Sequence, residues 1–456
     1  MFELKDLYSE ENNVKVSNIN GTYQNLITQI SKDIQAGTTP CEKAIKLFNW
    51  YENNGIYKEK TNMLKKALTY DNAGENLSRQ DIRAIKTATF NLSASNIKAY
   101  AECPFKYFVQ YTLKPQKREI WEINALDIGN LMHSTGEKFT RHVLENNIDL
   151  KKITNDEIEH IVDEIIIKSE QEFKSGFFGE DNLNKAILKK ASHVAKKTIG
   201  KIVEHINSGD FEIFGSEIEF GNNKKLPAIS LGDIEGIGVN IEGKIDRIDK
   251  YVYSGKTYYK VYDYKTGNVV LDYKKIFHGT DLQLILYMQA CIAGNLNRMP
   301  AGMFYYKFDS PIVKYENNID IDKLNELISK NMRYYGISVD DEDIILAIDH
   351  NAKDDNKRSC SSTKFNNDNS LAKSSHVFNN EEVNIILKHS MQLIENFAKE
   401  ILSGITEARP YKSSCEYCEY KNVCNFDTCF EKNKYRKIEN VNKNTIIDKI
   451  KGQNDE

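Results

Sequence analysis

The sequence predicts a mixed α/β protein, a mixed sheet flanked by helices and preceded by a helical N-terminal region. Three observations lead there. Up to about residue 90 only short amphipathic helical patterns occur. Three long helical patterns follow, and then runs that alternate polar and apolar residues with the period of two expected of half-buried strands. Beyond these, helix and strand patterns succeed one another, as they do within one mixed domain. At 456 residues the chain is also longer than one hydrophobic core usually serves, so more than one domain is expected.

In chain order, Tyr23–Ile34, Cys41–Tyr51 and Asn62–Tyr70 read as helices separated by polar breaks. A new unit opens near Asn91, where Ser93 or Ser95 can cap a helix through Ile97, Tyr100 and Phe108 that Pro104 interrupts early. Helical periodicity returns over Asp127–Leu144, Asp156–Phe173 and Leu183–Ile206. Strands are expected at Phe211–Phe214, Val239–Asp246 and Tyr258–Lys265, with a hairpin turn at Ser254-Gly255-Lys256, then a helix at Leu282–Ala293 and a strand at Met303–Phe308. Residues 351–380, rich in Ser, Asn, Asp and Lys, carry no periodic pattern and read as a mobile surface insertion. A long helix over Glu381–Leu402 leads into a cysteine cluster, and a polar tail follows from residue 431.

Composition excludes several classes. No apolar run approaches the roughly 18 to 20 residues of a membrane span. The start, MFELKDLYSEENNVKV, lacks the basic and apolar regions of a secretory signal, so a cytoplasmic location is expected. Eight cysteines in a reducing compartment are then better read as metal ligands, where clustered, than as disulfides. Net charge of −4 and a pI near 6.2 give no global sign of nucleic acid, so any such site is local. One local candidate is the helix bearing Lys185, Lys189, Lys190, Lys196, Lys197 and Lys201, which reads equally as a solvated face. Ser254-Gly255-Lys256-Thr257 lacks the upstream glycine and following helix of a phosphate-binding loop, so no ATP site is expected.

The chemistry concentrates in Gly243-Lys244-Ile245-Asp246-Arg247-Ile248-Asp249 and Asp263-Tyr264-Lys265-Thr266-Gly267. Two adjacent antiparallel strands can bring Asp246 and Asp263 to one face, close enough to share a divalent cation. Lys265, two positions beyond Asp263 and so on the same strand face, can orient or activate a water. Gln283 and Tyr287 share a helix face at i, i+4. Asp249, at an odd offset from Asp246, faces the other side of its strand. His133 on a helix can complete a metal's coordination, although a lone helical histidine is usually a packing or surface residue. Glu217 is a further acidic candidate that Glu219 matches in facing.

Cys415-x-x-Cys418-x5-Cys424 places three thiols within ten residues, the mark of a metal site. The fourth ligand is open. Cys429 lies five residues downstream and spacing alone favours it, in a local zinc knuckle; Cys103 lies far upstream. Cys41, Cys291 and Cys360 have no partners in spacing.

Together, Leu92-Ser93-x-Ser95-x-Ile97-x-x-Tyr100-x-x-Cys103-Pro104-Phe105, Gly129-x-x-x-His133, the two acidic motifs and Gln283-x-x-x-Tyr287 resemble the RecB-type branch of the PD-(D/E)XK nucleases, in particular the nuclease part of AddB-type subunits of AddAB helicase-nucleases. The resemblance covers about residues 91 to 430. It implies a restriction-endonuclease-like mixed sheet flanked by helices, and a Mg2+- or Mn2+-dependent deoxyribonuclease, an exonuclease acting in double-strand break end resection and recombinational repair. It further implies His133, Asp246 and Asp263 as metal ligands, Lys265 as catalytic lysine, and Gln283 and Tyr287 lining the site. A 4Fe-4S cluster on Cys103, Cys415, Cys418 and Cys424 would staple the domain's ends. The implied partners are DNA and an AddA-type helicase-nuclease subunit. Residues 1–90 would be the end of a helicase-like part, 91–430 the nuclease domain and 431–456 a polar tail. The alternatives are a non-catalytic DNA-binding module that keeps the cluster, and a CRISPR-type iron-sulphur exonuclease.

Overall fold

The computed structural model describes residues 14–68, 76–85, 89–116, 125–172, 182–267, 270–308, 311, 320–424, 426–430 and 432–454. The chain divides into two units, one formed by residues 1–73 with 426–433, the other by 74–425 with 434–456. In the first, α1 (Ile19–Ala36), α2 (Glu42–Asn53) and α3 (Lys58–Leu68) form where the apolar periodicity placed them. Their apolar faces share a core of Val14, Tyr23, Leu26, Ile30, Ala44, Tyr51 and Tyr57. The unit boundary at residue 73 falls earlier than the expected 90.

The second unit opens with α4 (Arg79–Ile85) and β1 (Thr89–Leu92). Ser93 then caps α5 (Ala94–Glu102) in a reciprocal capping box with Asn96. Pro104 ends that helix and starts α6 (Pro104–Tyr107), which a π-helical turn at Phe108–Leu113 continues. The long helices follow as α7 (Ala125–Glu145), α8 (Asn155–Glu172) and α9 (Asn182–Asn207).

The strands come next: β2 (Glu212–Phe220), β3 (Ile229–Ile234), β4 (Ile237–Ile241), β5 (Gly243–Tyr253) and β6 (Lys256–Lys265). The run read as one strand over Val239–Asp246 is two. It breaks at Glu242, with β4 in a three-stranded sheet ordered β1-β4-β3 and β5 in a six-stranded one. Alternation runs through the break because Glu242 keeps extended pairing, its amide donating to the Leu92 carbonyl at 2.9 Å. Gly243 makes the crossing possible, since a Cβ there would lie 2.8 Å from the Phe220 ring. The Ser254-Gly255 turn, both residues with positive φ, closes the β5/β6 hairpin, and Lys256 begins a strand.

After α10 (Tyr273–Phe277) and α11 (Gln283–Ile292), the chain returns as β7 (Arg298–Lys307) parallel to β6, so α11 is a crossover helix packed on both strands. Then come α12 (Ile321–Asn331), β8 (Tyr335–Val339), α13 (Glu342–Ile348), the short β9 (Val377–Phe378) and α14 (Asn380–Leu402). The large sheet is ordered β2-β5-β6-β7-β8-β9. Its interior holds ions as well as apolar side chains. Arg247 donates from Nε and Nη2 to Asp249 at 2.8 and 2.7 Å, its guanidinium 4.3 Å over the Tyr262 ring, with Lys260 3.6 Å from the same carboxylate. Asp249 therefore does face away from Asp246, but as half of a buried ion pair.

Two expectations need correction. Residues 351–380 are not a detached insertion. Ser359, Cys360, Ser362, Thr363 and Ser375 are buried, Ser362 accepts the Gly336 amide at 2.6 Å, and β9 pairs with β8. Hydrogen bonding of small polar side chains to backbone, which leaves no periodicity, joins the apolar packing of Ala352, Cys360, Val377 and Phe378 there. Residues 431–456 are not a plain polar tail either. After α15 (Lys412–Glu416) and α16 (Lys421–Cys424), α17 (Ile446–Asn454) buries Ile446 and Ile450 in the main core. Among the described residues no helix is long and apolar enough to cross a membrane.

Candidate active site

Asp246 and Asp263 meet where the β5/β6 ladder ends. The last paired rung is Arg247 with Tyr262. Just beyond it, Asp246 Oδ2 accepts the backbone amide of Tyr264 at 2.7 Å. The next residues, Asp246 and Asp263, thus turn carboxylates to one side of the strand ends, as the strand alternation implied. Asp263 is completely buried, and its Oδ1 has no hydrogen-bond partner. Burial first, and then the neighbouring charge of Asp246, push its carboxyl up to about 7.

Lys265 Nζ stands 2.5 Å from Asp263 Oδ2 and donates to Gln283 Oε1 at 3.1 Å. Gln283 Nε2 in turn donates to Tyr287 Oη at 2.7 Å. The i, i+4 pair on α11 therefore fixes the amide, and the amide fixes the ammonium. Tyr287 holds its proton firmly, because burial and the charges of Asp246 and Asp263 all disfavour a phenolate.

α7 brings His133 to the same place. Its approach depends on glycines flanking the histidine: a Cβ on Gly136 would stand 3.1 Å from the Tyr264 ring, and one on Gly129 3.3 Å from Thr266 Oγ1. His133 Nδ1 lies 3.2 Å from Asp246 Oδ2. Burial opposes a charged imidazole, but the hydrogen bond to Asp246 and the charges of Asp246 and Asp263 outweigh it and raise the ring's pKa.

The sequence left Glu217 and Glu219 unseparated, and the structure separates them. Glu219 pairs with Lys224 at 2.7 Å outside the site. Glu217 lies across from Asp246, between the pairs Ser216/Arg247 and Ile218/Ile245, and takes a φ of 50°, left-handed for a non-glycine residue inside a strand. That conformation is costly and follows a bulge between Ile213 and Gly215. It aims Glu217 inward, where burial holds its carboxyl above the ordinary range even against its ion pair with Lys244. The sequence offers Glu217 and Glu219 as equals, and the left-handed φ that distinguishes Glu217 has no signal in the local pattern.

Among the described residues, His133, Glu217 and Asp246 are the trio whose ligand atoms lie within 4.8 Å of one another. Carboxylate oxygens with one imidazole suit a hard or borderline divalent ion. The unpartnered oxygen of Asp263 beside them is the costly buried group that such an ion would satisfy.

A second cluster forms around the cysteines. Cys103 sits at the joint of α5 and α6, buried, with the backbone amides of Phe105 and Lys106 directed at its sulphur. Burial, and then the thiols of Cys103, Cys418 and Cys424, push the Cys415 thiol up to about 11. Cys429 is exposed, its thiol hydrogen-bonded to Asp427, and it falls in the first unit. Cys291 and Cys360 are buried core residues and Cys41 is half-buried. Of the α9 lysines, Lys196 pairs with Asp163 and Lys201 with Glu204, each at 2.6 Å.

The sequence profile of the PD-(D/E)XK nuclease superfamily matches residues 91–425. Curated relatives include an ATP-dependent helicase/deoxyribonuclease subunit from Clostridium novyi (strain NT), 28% identical over 98% of this chain and 40% of the relative. The protein of the same name from Clostridioides difficile (strain 630) is 29% identical over 89% of this chain and 36% of the relative. The chain thus spans no more than 40% of the length of these relatives.

Proposed function

The chain belongs to the PD-(D/E)XK nuclease superfamily, and from that premise we propose that it is a Mg2+- or Mn2+-dependent deoxyribonuclease, an exonuclease working with an AddA-type subunit in an AddAB-type helicase-nuclease that resects double-strand breaks. The observation that carries the reading is the completely buried Asp263, with one unpartnered oxygen, between Asp246 and Lys265. Such an arrangement is a liability to the fold and makes sense as a site of chemistry.

Asp246, Asp263 and His133, with Glu217 beside them, would hold the ion. When bound, it would neutralise the scissile phosphate and lower the pKa of a water. The protein's own groups do the rest. Lys265, anchored by Asp263 and aimed by Gln283, donates a hydrogen bond to the attacking water or to a phosphate oxygen. Tyr287 fixes the Gln283 amide so that its carbonyl, not its NH2, faces the lysine. In the reaction the water oxygen bonds to phosphorus, the bond to the departing sugar oxygen breaks, and that oxygen takes a proton.

The second site, Cys103, Cys415, Cys418 and Cys424, suits a 4Fe-4S cluster, which four thiolates ligate. Its role is structural, tying the start of the nuclease domain to its end. Support comes from the influence of Cys103, Cys418 and Cys424 on the Cys415 thiol, whereas the exposed Cys429 bonds to Asp427.

End-labelled single- and double-stranded DNA incubated with anaerobically purified protein tests the reading. Shortening with Mg2+ or Mn2+, abolished by EDTA, is expected. Tight binding with no cutting at any metal concentration would leave a DNA-binding module instead.

A further inference from the structure

We infer that Arg436 is the charge partner of the iron-sulphur site: its guanidinium, pinned between the segments that carry Cys103 and Cys415, holds the anionic cluster that these cysteines would ligate. The inference rests on the cluster reading above and adds to it a positioning residue outside the cysteines.

The backbone amide of Arg436 donates to the Pro410 carbonyl at 2.9 Å, in a β-bridge that pairs Tyr411 with Arg436. The half-buried side chain then crosses to α5. Nη2 donates to the carbonyls of Ala101 and, at 3.0 Å, Glu102, the two residues before Cys103. The guanidinium lies 4.0 Å over the ring of Tyr411, four residues before Cys415. One side chain thus touches both cysteine-bearing segments.

Two features of that side chain have no account in the polypeptide alone. Its Nε is shut off from solvent and has no hydrogen-bond partner, a costly state for a charged donor. Its charge also forms no ion pair among the described residues. Arg409, the other arginine acting on Cys103, differs, since it lies 3.1 Å from Glu400 and 2.9 Å from Glu407. Glu400 keeps its charge and attracts Arg436 as well, but from beyond ion-pair distance. Cys103 and Arg436 act on each other electrostatically. Ligation makes a cysteine sulphur a thiolate, and four thiolates outweigh the positive iron-sulphur core, so the loaded site is anionic. An anion there supplies what Arg436 lacks. An arginine can serve both roles because its fork satisfies the carbonyls and leaves Nε–H for a sulphur acceptor.

The test follows iron in the anaerobically purified full chain. Arg436→Gln and Arg436→Lys both give up the fork and the contact with Tyr411, and both keep a donor for the α5 carbonyls, but only the lysine keeps the charge. With excess bathophenanthroline as Fe2+ chelator, Arg436→Gln should release its iron at least about tenfold faster than the wild type, the low end of the loss expected for a group that bonds to a metal ligand rather than to the metal. Arg436→Lys should stay close to the wild type. Melts of the metal-free proteins in EDTA should place the two variants together. Equal release from wild type and Arg436→Gln would remove the role of Arg436 and keep the cluster. Equally fast release from both variants, or a metal-free Arg436→Gln that melts below Arg436→Lys, would make Arg436 a structural pin and overturn the inference. Wild-type protein that holds no iron would remove the cluster reading, and the inference with it.

Discussion

Asp263 holds a carboxyl group in a fully buried position where no hydrogen bond reaches Oδ1. In metal-free protein this has a pH signature. Its carboxyl sits at about 7, against about 3.9 in an unfolded chain, so between those values the folded state holds a proton that the unfolded state has lost. The associated stability is full below about pH 4 and is lost as pH rises through about 7. His133, also raised, works in the same direction at higher pH. Thermal melts in EDTA should therefore show Asp263→Asn gaining on the wild type as pH increases from about 4 to about 7, and a constant difference across that window would count against the buried charge. Metal binding should tighten over the same range as it displaces the proton. His133→Ala should weaken metal binding at least about tenfold, the low end of what even an outer-shell partner costs, and excess Mn2+ should partly restore cutting. No rescue at any metal concentration would make His133 a packing residue. At this scale much was legible: Asp246, Asp263 and Lys265 follow from strand alternation, and Gln283 with Tyr287 from helical spacing. Glu217 was legible as a candidate but not separable from Glu219, because the left-handed φ that sets it apart is not encoded in a local pattern.

α7 and the β5/β6 hairpin place the site, and their contact depends on absent side chains. Gly136 packs against the Tyr264 and Phe308 rings, with a Cβ position 3.1 and 3.2 Å from them. Gly136→Leu should cost about 1–3 kcal/mol by overpacking and move His133, raising the metal concentration that supports cutting. Gly200 on α9 has nothing within 4 Å of its Cβ position, so Gly200→Ala should gain up to about 1 kcal/mol of helix propensity and leave metal dependence alone. Urea melts beside a metal titration check both, and equal effects from the two substitutions would contradict the close approach of α7. Helices with strong periodicity were legible to within a few residues. The β4/β5 boundary was not, because extended pairing continues through Glu242 while the chain changes sheets. Short elements such as β1, β8 and α10 carry too few residues for a period to show.

Across the second unit, segments about 300 residues or more apart are joined in several ways. Tyr100 donates to Glu400 at 2.8 Å and Arg436 donates to the Glu102 carbonyl at 3.0 Å, closing the carbonyl end of α5. Because these bonds do not involve the thiols, the proposed cluster predicts that Cys103→Ser is purified without iron and exposes the segment around Cys415–Cys424 to protease without unfolding the unit. Cys429→Ser should leave iron content unchanged. Iron retained in Cys103→Ser and lost in Cys429→Ser would replace the staple with a local C-terminal metal site. The large-scale organisation was the least legible. Residues 351–380 and 431–456 are mostly polar and carry no apolar period, yet they bury Cys360, Phe378, Val441, Ile446 and Ile450 in the main core. The grouping of 426–433 with the N-terminal helices has no local signal.

The most direct measurement follows cleavage of labelled DNA by wild-type protein and Asp263→Ala over one Mg2+ titration, with DNA binding recorded in parallel. The wild type should cut in proportion to metal occupancy, while Asp263→Ala binds DNA as well but cuts at least about 100-fold more slowly at every metal concentration. Equal cutting by the two proteins would contradict the assignment of the site.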